Sequence, residues 1–192
     1  MPYQPDLALA WRRTKADLTS ERVFVRTPYE IELVEENLDE WLRQLQQKIE
    51  AGYRPASTSI ADVPKGNGAI RPGAILSLED RTVYADIVGA LLPIISAGLK
   101  WAQGTVDFSY QFANRPNRVS WFSNRYTGWT QFRNAQLKKF DEDESITHVV
   151  ITDLTGFYEN IDLTILMSDL RTHWVAMRML SNYFRHAFID GR

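Results

Sequence analysis

The stretch "TPYEIELVEENLDEWLRQLQQKIEAG", Thr27 to Gly52, constrains this chain most, because its apolar residues recur at one spacing. Ile31, Val34, Leu38, Trp41, Leu45 and Ile49 fall on one stripe of an α-helix, whereas a strand would scatter them over two faces. Thr27 can cap this helix, Pro28 suits its first turn, Glu30 completes a capping box, and Gly52 can end it. An apolar stripe of this length has to be covered, so it is packing surface and not a binding face.

The rest of the chain reads as α+β and rich in helix. "RPASTSIADVPKGNGAIRP" is a loop running into a short hairpin, since Gly66, Asn67 and Gly68 are residues that a tight turn requires. Ser77 with Asp80 forms a second capping pattern, opening a helix through Val83, Ile87 and Leu91 that Pro93 ends or kinks. "DEDES", Asp141 to Ser145, is a solvated turn, and "THVVITDL" after it predicts a buried strand that ends at Asp153. Asp162 can cap a following helix through Leu163, Leu166 and Leu170. No element is assigned between Asn114 and Lys139, and no internal repeat is present.

With 192 residues, 44% of them hydrophobic, the chain can bury one sizeable core or two small ones. It has no cysteine, which excludes disulfides, thiolate metal sites and a thiol nucleophile and fits a reducing, cytoplasmic setting. The longest apolar run, Ile87 to Leu99, is too short to span a bilayer and contains Pro93, and "MPYQPDLALAWRR" has no signal-peptide pattern, so no membrane partner is expected. Its three histidines, His148, His173 and His186, are too far apart in sequence for a local metal pair.

The net charge of −2 hides a basic tract, since Lys100 to Lys139 carries seven Lys or Arg against one acid, Asp107. Trp101, Phe108, Tyr110, Phe112, Trp121, Phe122, Tyr126, Trp129 and Phe132 lie in the same tract. Cations for phosphates alternate there with rings on which bases can stack, a composition that suits single-stranded nucleic acid; the same residues can equally be core rings and a solvated face.

Asp153, at the end of the apolar run, is the candidate for chemistry. A haloacid-dehalogenase aspartate would need a second Asp two residues on, where Thr155 stands, and a purely structural strand-end carboxylate is the other option. "DLTGFYENID" resembles the first catalytic palm motif of reverse transcriptases, most closely those of bacterial abortive-infection and other antiviral defence systems. "VPKGNGAIRP" resembles that family's fingers hairpin, "LSLEDRTVYADIVGALLPII" the helix after it, and "FSYQF" its short Ser-Tyr motif, all in the family's order.

The resemblance implies a right-hand polymerase fold with an N-terminal helical region (1–60), fingers (61–147) and the start of an incomplete palm sheet (148–192). By residue, it implies that Asp153 and the Leu154 carbonyl hold Mg²⁺. It likewise implies that Tyr158 lies against the sugar and selects dNTPs and that Lys65 and Arg71 grip the triphosphate. The implied partners are a dNTP and an RNA or DNA template with its primer; homo-oligomerisation stays open. A two-residue Asn67-Gly68 turn would put Lys65 and Arg71 on opposite faces, so an odd-numbered connection or a bulge that sets Lys65 across from Arg71 is expected.

No Asp-Asp pair, the family's second metal motif, occurs in the chain; Asp86 in "VYADIV" precedes Asp153, reads as helix and is given no catalytic role. The chain is therefore expected to be a truncated RNA-directed DNA polymerase, inactive alone. The alternatives are a template-independent DNA polymerase of the abortive-infection type and a non-catalytic remnant that binds single-stranded nucleic acid.

Overall fold

The computed structural model describes residues 4–19, 28–64, 68, 70–108, 112, 119–122, 125–152, 157 and 160–172. They form an α+β arrangement of six helices and one small sheet: α1 (Leu7–Leu18), α2 (Pro28–Glu36), α3 (Leu38–Glu50), β1 (Ser59–Pro64), β2 (Ile70–Ile75), α4 (Leu78–Leu99), α5 (Arg125–Glu142) and α6 (Leu163–Thr172). The strands pair antiparallel as a two-stranded hairpin. No helix among the described residues is long and apolar enough to cross a membrane. The chain divides into two compact units, Met1–Ala90 with Arg171–Arg192, and Leu91–Leu170.

In the first unit the apolar stripe of 31–49 is the packing surface its spacing predicts. Trp11, Leu18 and Ile31 are buried together, with Val34, Leu38, Trp41, Leu42 and Leu78 packed on them, and Leu45 and Ile49 are also buried. The Trp11 and Trp41 rings meet with centroids 5.1 Å apart and planes tilted by 58°, a favoured aromatic geometry. The stripe is carried by two helices, not one, because the helix turns at Asn37, whose side chain makes no capping bond. Asparagine competes for local backbone hydrogen bonds, so it is a weak point in a helix interior. Gly52, with φ +93°, stands in the left-handed conformation that ends α3. Thr27 lies outside the described residues.

α1 is capped by Asp6, whose carboxylate accepts the Leu9 N–H at 3.0 Å. Asp86, buried on α4, accepts the Asp6 N–H at 2.9 Å, and the buried Thr82 hydroxyl lies 3.5 Å from that of Thr14. Asp86 thus serves to hold the start of α1 on α4. Pro93 does not end α4, which continues to Leu99. Proline removes the N–H that would bond the Gly89 carbonyl, and the boundary between the units falls beside this weakened turn, at Ala90 and Leu91.

The second unit departs most from expectation. Thr147 to Thr152 forms no strand, and Val149, Val150 and Ile151 are exposed, Ile151 by 90%. β-branched residues make a strand only where a neighbour takes up their backbone groups, and no strand lies beside them among the described residues. Asp162 caps α6 as its position predicts, its Oδ1 accepting the Thr164 N–H at 2.8 Å and the Ile165 N–H at 3.3 Å. Of "DEDES", Asp141 and Glu142 belong to α5, and the turn begins at Asp143, which accepts the Ser145 N–H at 3.0 Å.

An ion pair at the surface of the first unit joins α1 to α2. Glu35 accepts from the Lys15 ammonium at 2.5 Å and from the Trp11 indole N–H at 2.5 Å, and these two bonds, led by that from Lys15, hold its carboxyl below its ordinary value near 4.5. A depressed carboxyl stabilises the fold above its unfolded pKa, and that contribution is lost as the pH falls through the folded value. Urea unfolding of Glu35→Gln should therefore show lower stability than wild type at pH 7, with the gap closing as the pH falls below the ordinary carboxyl value near 4.5 and through the lowered folded one. A gap that stays constant over that range would show that the charge on Glu35 does not contribute.

Candidate triphosphate-binding hairpin

The register of the hairpin runs from Ser59↔Ile75 through Val63↔Arg71 to Pro64↔Ile70, so the five residues 65–69 connect the strands. The connection is odd-numbered, as the need to face two cations to one side requires. Gly68 adopts φ +81°, a turn conformation that costs a side-chain-free residue little. Arg71 has Val63 as its cross-strand partner rather than Lys65, which corrects the direct opposition expected of the two cations. Pro64 and Pro72 lack an N–H, and this register puts both in the same alternate class of pair, Pro64↔Ile70 and Asp62↔Pro72. That class is free to be the one that makes no ladder bonds.

Alternation gives the hairpin two unlike faces. Ile60, Asp62, Pro64, Ile70, Pro72 and Ala74 are all exposed, whereas Ala61, Val63, Gly73 and Ile75 are half-buried. Directly opposed residues share a face, so Arg71 belongs with the half-buried set, at the end nearer the connection, and is itself exposed. An exposed guanidinium can form paired hydrogen bonds with phosphate oxygens. Gly73 makes room on this face for Val63, whose Cγ2 would stand 2.5 Å from a Cβ placed at position 73.

The remaining site residues of the sequence reading, Lys65, Asp153, Leu154 and Tyr158, lie outside the described residues, as do His173 and His186. Within "DLTGFYENID", Phe157 is exposed, and the Asn160 N–H donates to the Phe157 carbonyl at 3.3 Å. Asp162, at the end of the same motif, is engaged as the cap of α6. His148 is exposed, and its Nδ1 shares a 2.7 Å hydrogen bond with the Thr147 hydroxyl. No group of three or more His, Asp or Glu among the described residues is placed to share a metal ion.

The basic aromatic tract resolves into the turns of 99–107, a bridge between Phe112 and Phe122, and α5. Phe112 and Phe122 stack with centroids 5.4 Å apart, and Phe132 lies between Phe108 and Trp129 at 5.9 and 5.7 Å. Sequence reasoning did not find α5, because its inward residues are small: Gly128 and Ala135 are half-buried, while Tyr126, Trp129, Leu137 and Phe140 on the other side are exposed. From Arg125 to Phe140 the helix carries four cations, Arg125, Arg133, Lys138 and Lys139, and no carboxylate. Gln131, Asn134 and Ala135 border an open hollow of about 450 Å³ with Gln103, Gly104 and Phe108.

No family model, no curated protein and no solved structure matches this chain. The hairpin is therefore judged on its own geometry. Gly73→Val should splay or shift the strands near Val63, read as a several-fold rise in amide hydrogen exchange across 59–75 with α1 and α3 unaffected; unchanged exchange would mean that position 73 has room to spare.

Proposed function

We propose that this chain carries the fingers and the start of the palm of an RNA-directed DNA polymerase, a reverse transcriptase of the bacterial antiviral defence type. One observation carries the proposal: "VPKGNGAIRP" forms an antiparallel hairpin with an odd-numbered connection and presents Arg71 exposed at its outer end. A polymerase needs cations on a projecting element to hold a triphosphate while its sugar and base are aligned. Lys65 is the second cation of that grip. The helix expected directly after the hairpin is present as α4, capped by Ser77.

In this proposal Asp153 and the Leu154 carbonyl hold Mg²⁺, which supplies charge stabilisation for nucleotidyl transfer when bound. Tyr158 lies against the deoxyribose, where a 2′-hydroxyl would clash with its ring. Arg71 orients the triphosphate and offsets its charge, and an Asp-Asp hairpin completes the carboxylate set.

Primer extension with Mg²⁺ and dNTPs, with and without an RNA template, tests this. The 192 residues alone should extend nothing, and a chain that also supplies an Asp-Asp hairpin should extend with template. Asp153→Asn should abolish that activity, and Arg71→Ala should raise KM for the dNTP by roughly tenfold or more, the size of a lost charge-assisted bond. Extension by the 192 residues alone contradicts the need for a second carboxylate element, and extension without template favours the template-independent polymerase.

The exposed rings of α5 and the cations interleaved with them favour one further reading, a surface for single-stranded nucleic acid that needs no catalysis. Trp129 is 61% exposed, with Tyr126, Arg133, Leu137 and Phe140 along the same side at helical spacing. Fluorescence anisotropy with a labelled single-stranded oligonucleotide should show at least a fivefold loss of affinity in Trp129→Ala, near wild-type binding in Trp129→Phe, and weaker binding of all variants at higher salt. Equal binding by Trp129→Ala would remove α5 from nucleic-acid contact.

A further inference from the structure

No side chain of β1 or β2 is fully buried, so the stance of the hairpin on its unit depends on its two stems. Both stems end on one carboxylate. From the upstream stem the Tyr53 hydroxyl donates to Asp80 Oδ1 at 2.8 Å, and the Ala56 N–H donates to Oδ2 at 3.2 Å. From the downstream stem the Ser77 hydroxyl donates to Oδ2 at 2.7 Å, and the Asp80 N–H returns a bond to Ser77 Oγ at 3.0 Å. Arg81 Nε adds a 3.3 Å bond to the Leu76 carbonyl.

Asp80 is 1% exposed and stands in the first turn of α4, whose Val83 and Ile87 are buried. Ala56 lies three residues before β1 and Ser77 two after β2, so the carboxylate closes the base of the hairpin from both sides. A carboxylate suits the place because its two oxygens accept donors from both stems at once, and charge-assisted bonds of this kind are stronger than neutral ones.

We propose that Asp80 is a positioning residue for the triphosphate grip: it ties both hairpin stems to α4 and so sets where β2 presents Arg71. Asp80 touches no ligand itself. Its role toward a nucleotide rests on the hairpin being the triphosphate grip; its hold on the hairpin does not.

The test uses the 192-residue chain, with Tyr53→Phe and Ser77→Ala removing one donor each at little change in volume and Ser77→Thr keeping the hydroxyl. Amide hydrogen exchange across 59–75 should quicken roughly three- to tenfold in Tyr53→Phe, the size of one lost hydrogen bond, and at least as much in Ser77→Ala, which also loses the bond from the Asp80 N–H, with α1 and α3 unchanged and Ser77→Thr near wild type. The affinity for dATP with Mg²⁺ should fall by a similar factor in the same two variants. Unchanged hairpin exchange in both, or exchange quickened equally in α1 and α3, overturns the clamp. A loosened hairpin that binds dATP as tightly as wild type overturns the positioning role. Failure of the wild type to bind dATP overturns the triphosphate grip and with it the role of Asp80 toward a ligand, while quickened exchange in the variants still establishes the clamp.

Discussion

The buried carboxylate of Asp80 is the constraint on which the candidate site depends. Taking a carboxylate out of water costs several kcal/mol unless hydrogen bonds replace its hydration, and here Tyr53, Ala56 and Ser77 provide them. That replacement is also what organises the unit. The chain leaving α3 has to return to the first turn of α4 for Tyr53 and Ala56 to reach Asp80, and Ser77 has to stand at the start of the same helix. Everything between them, residues 59 to 75, is left to project as a hairpin with one half-covered and one exposed face. A polar contact at the base thus does for the hairpin what an apolar core does for α1 to α3.

The two units spend their apolar residues differently. In the first, Trp11, Ile31, Leu45, Val83 and Ile87 are buried, and Asp86 joins α1 to α4 through a backbone N–H. In the second, α5 turns Gly128 and Ala135 inward and leaves rings and cations outside, while Val149 to Ile151 and much of α6 stand exposed. Exposed rings interleaved with cations are a surface that bases and phosphates can use, and the exposed β-branched run has a strand preference that no neighbour among the described residues satisfies.

Much of the first unit was legible in the sequence because single residues decided it. The stripe from Ile31 to Ile49, the Ser77–Asp80 capping box, Gly52 at a helix end and Gly68 with its positive φ between the strands each express a local rule, and local rules can be read without knowing the neighbours. The break at Asn37 was not legible, since the apolar stripe passes straight through it. Nor was α5, whose small inward residues invert the usual pattern. The strand expected at 147–152 failed for the complementary reason: β-branched residues indicate a preference for pairing, and only a neighbour can satisfy it. The capping box indicated that Asp80 starts a helix, yet nothing local signalled that Tyr53, 27 residues earlier, would complete its shell.

The central claim is that a hairpin held at its base by Asp80 presents Arg71 to a nucleoside triphosphate. An NMR titration of the ¹⁵N-labelled chain with dATP and Mg²⁺ tests it most directly. Shifts concentrated on the amides of 59–64 and 70–75 and on the Arg71 Nε–H are the predicted result. A chain that shows no shifts, or shifts confined to α1, α2 and α3, would contradict the claim.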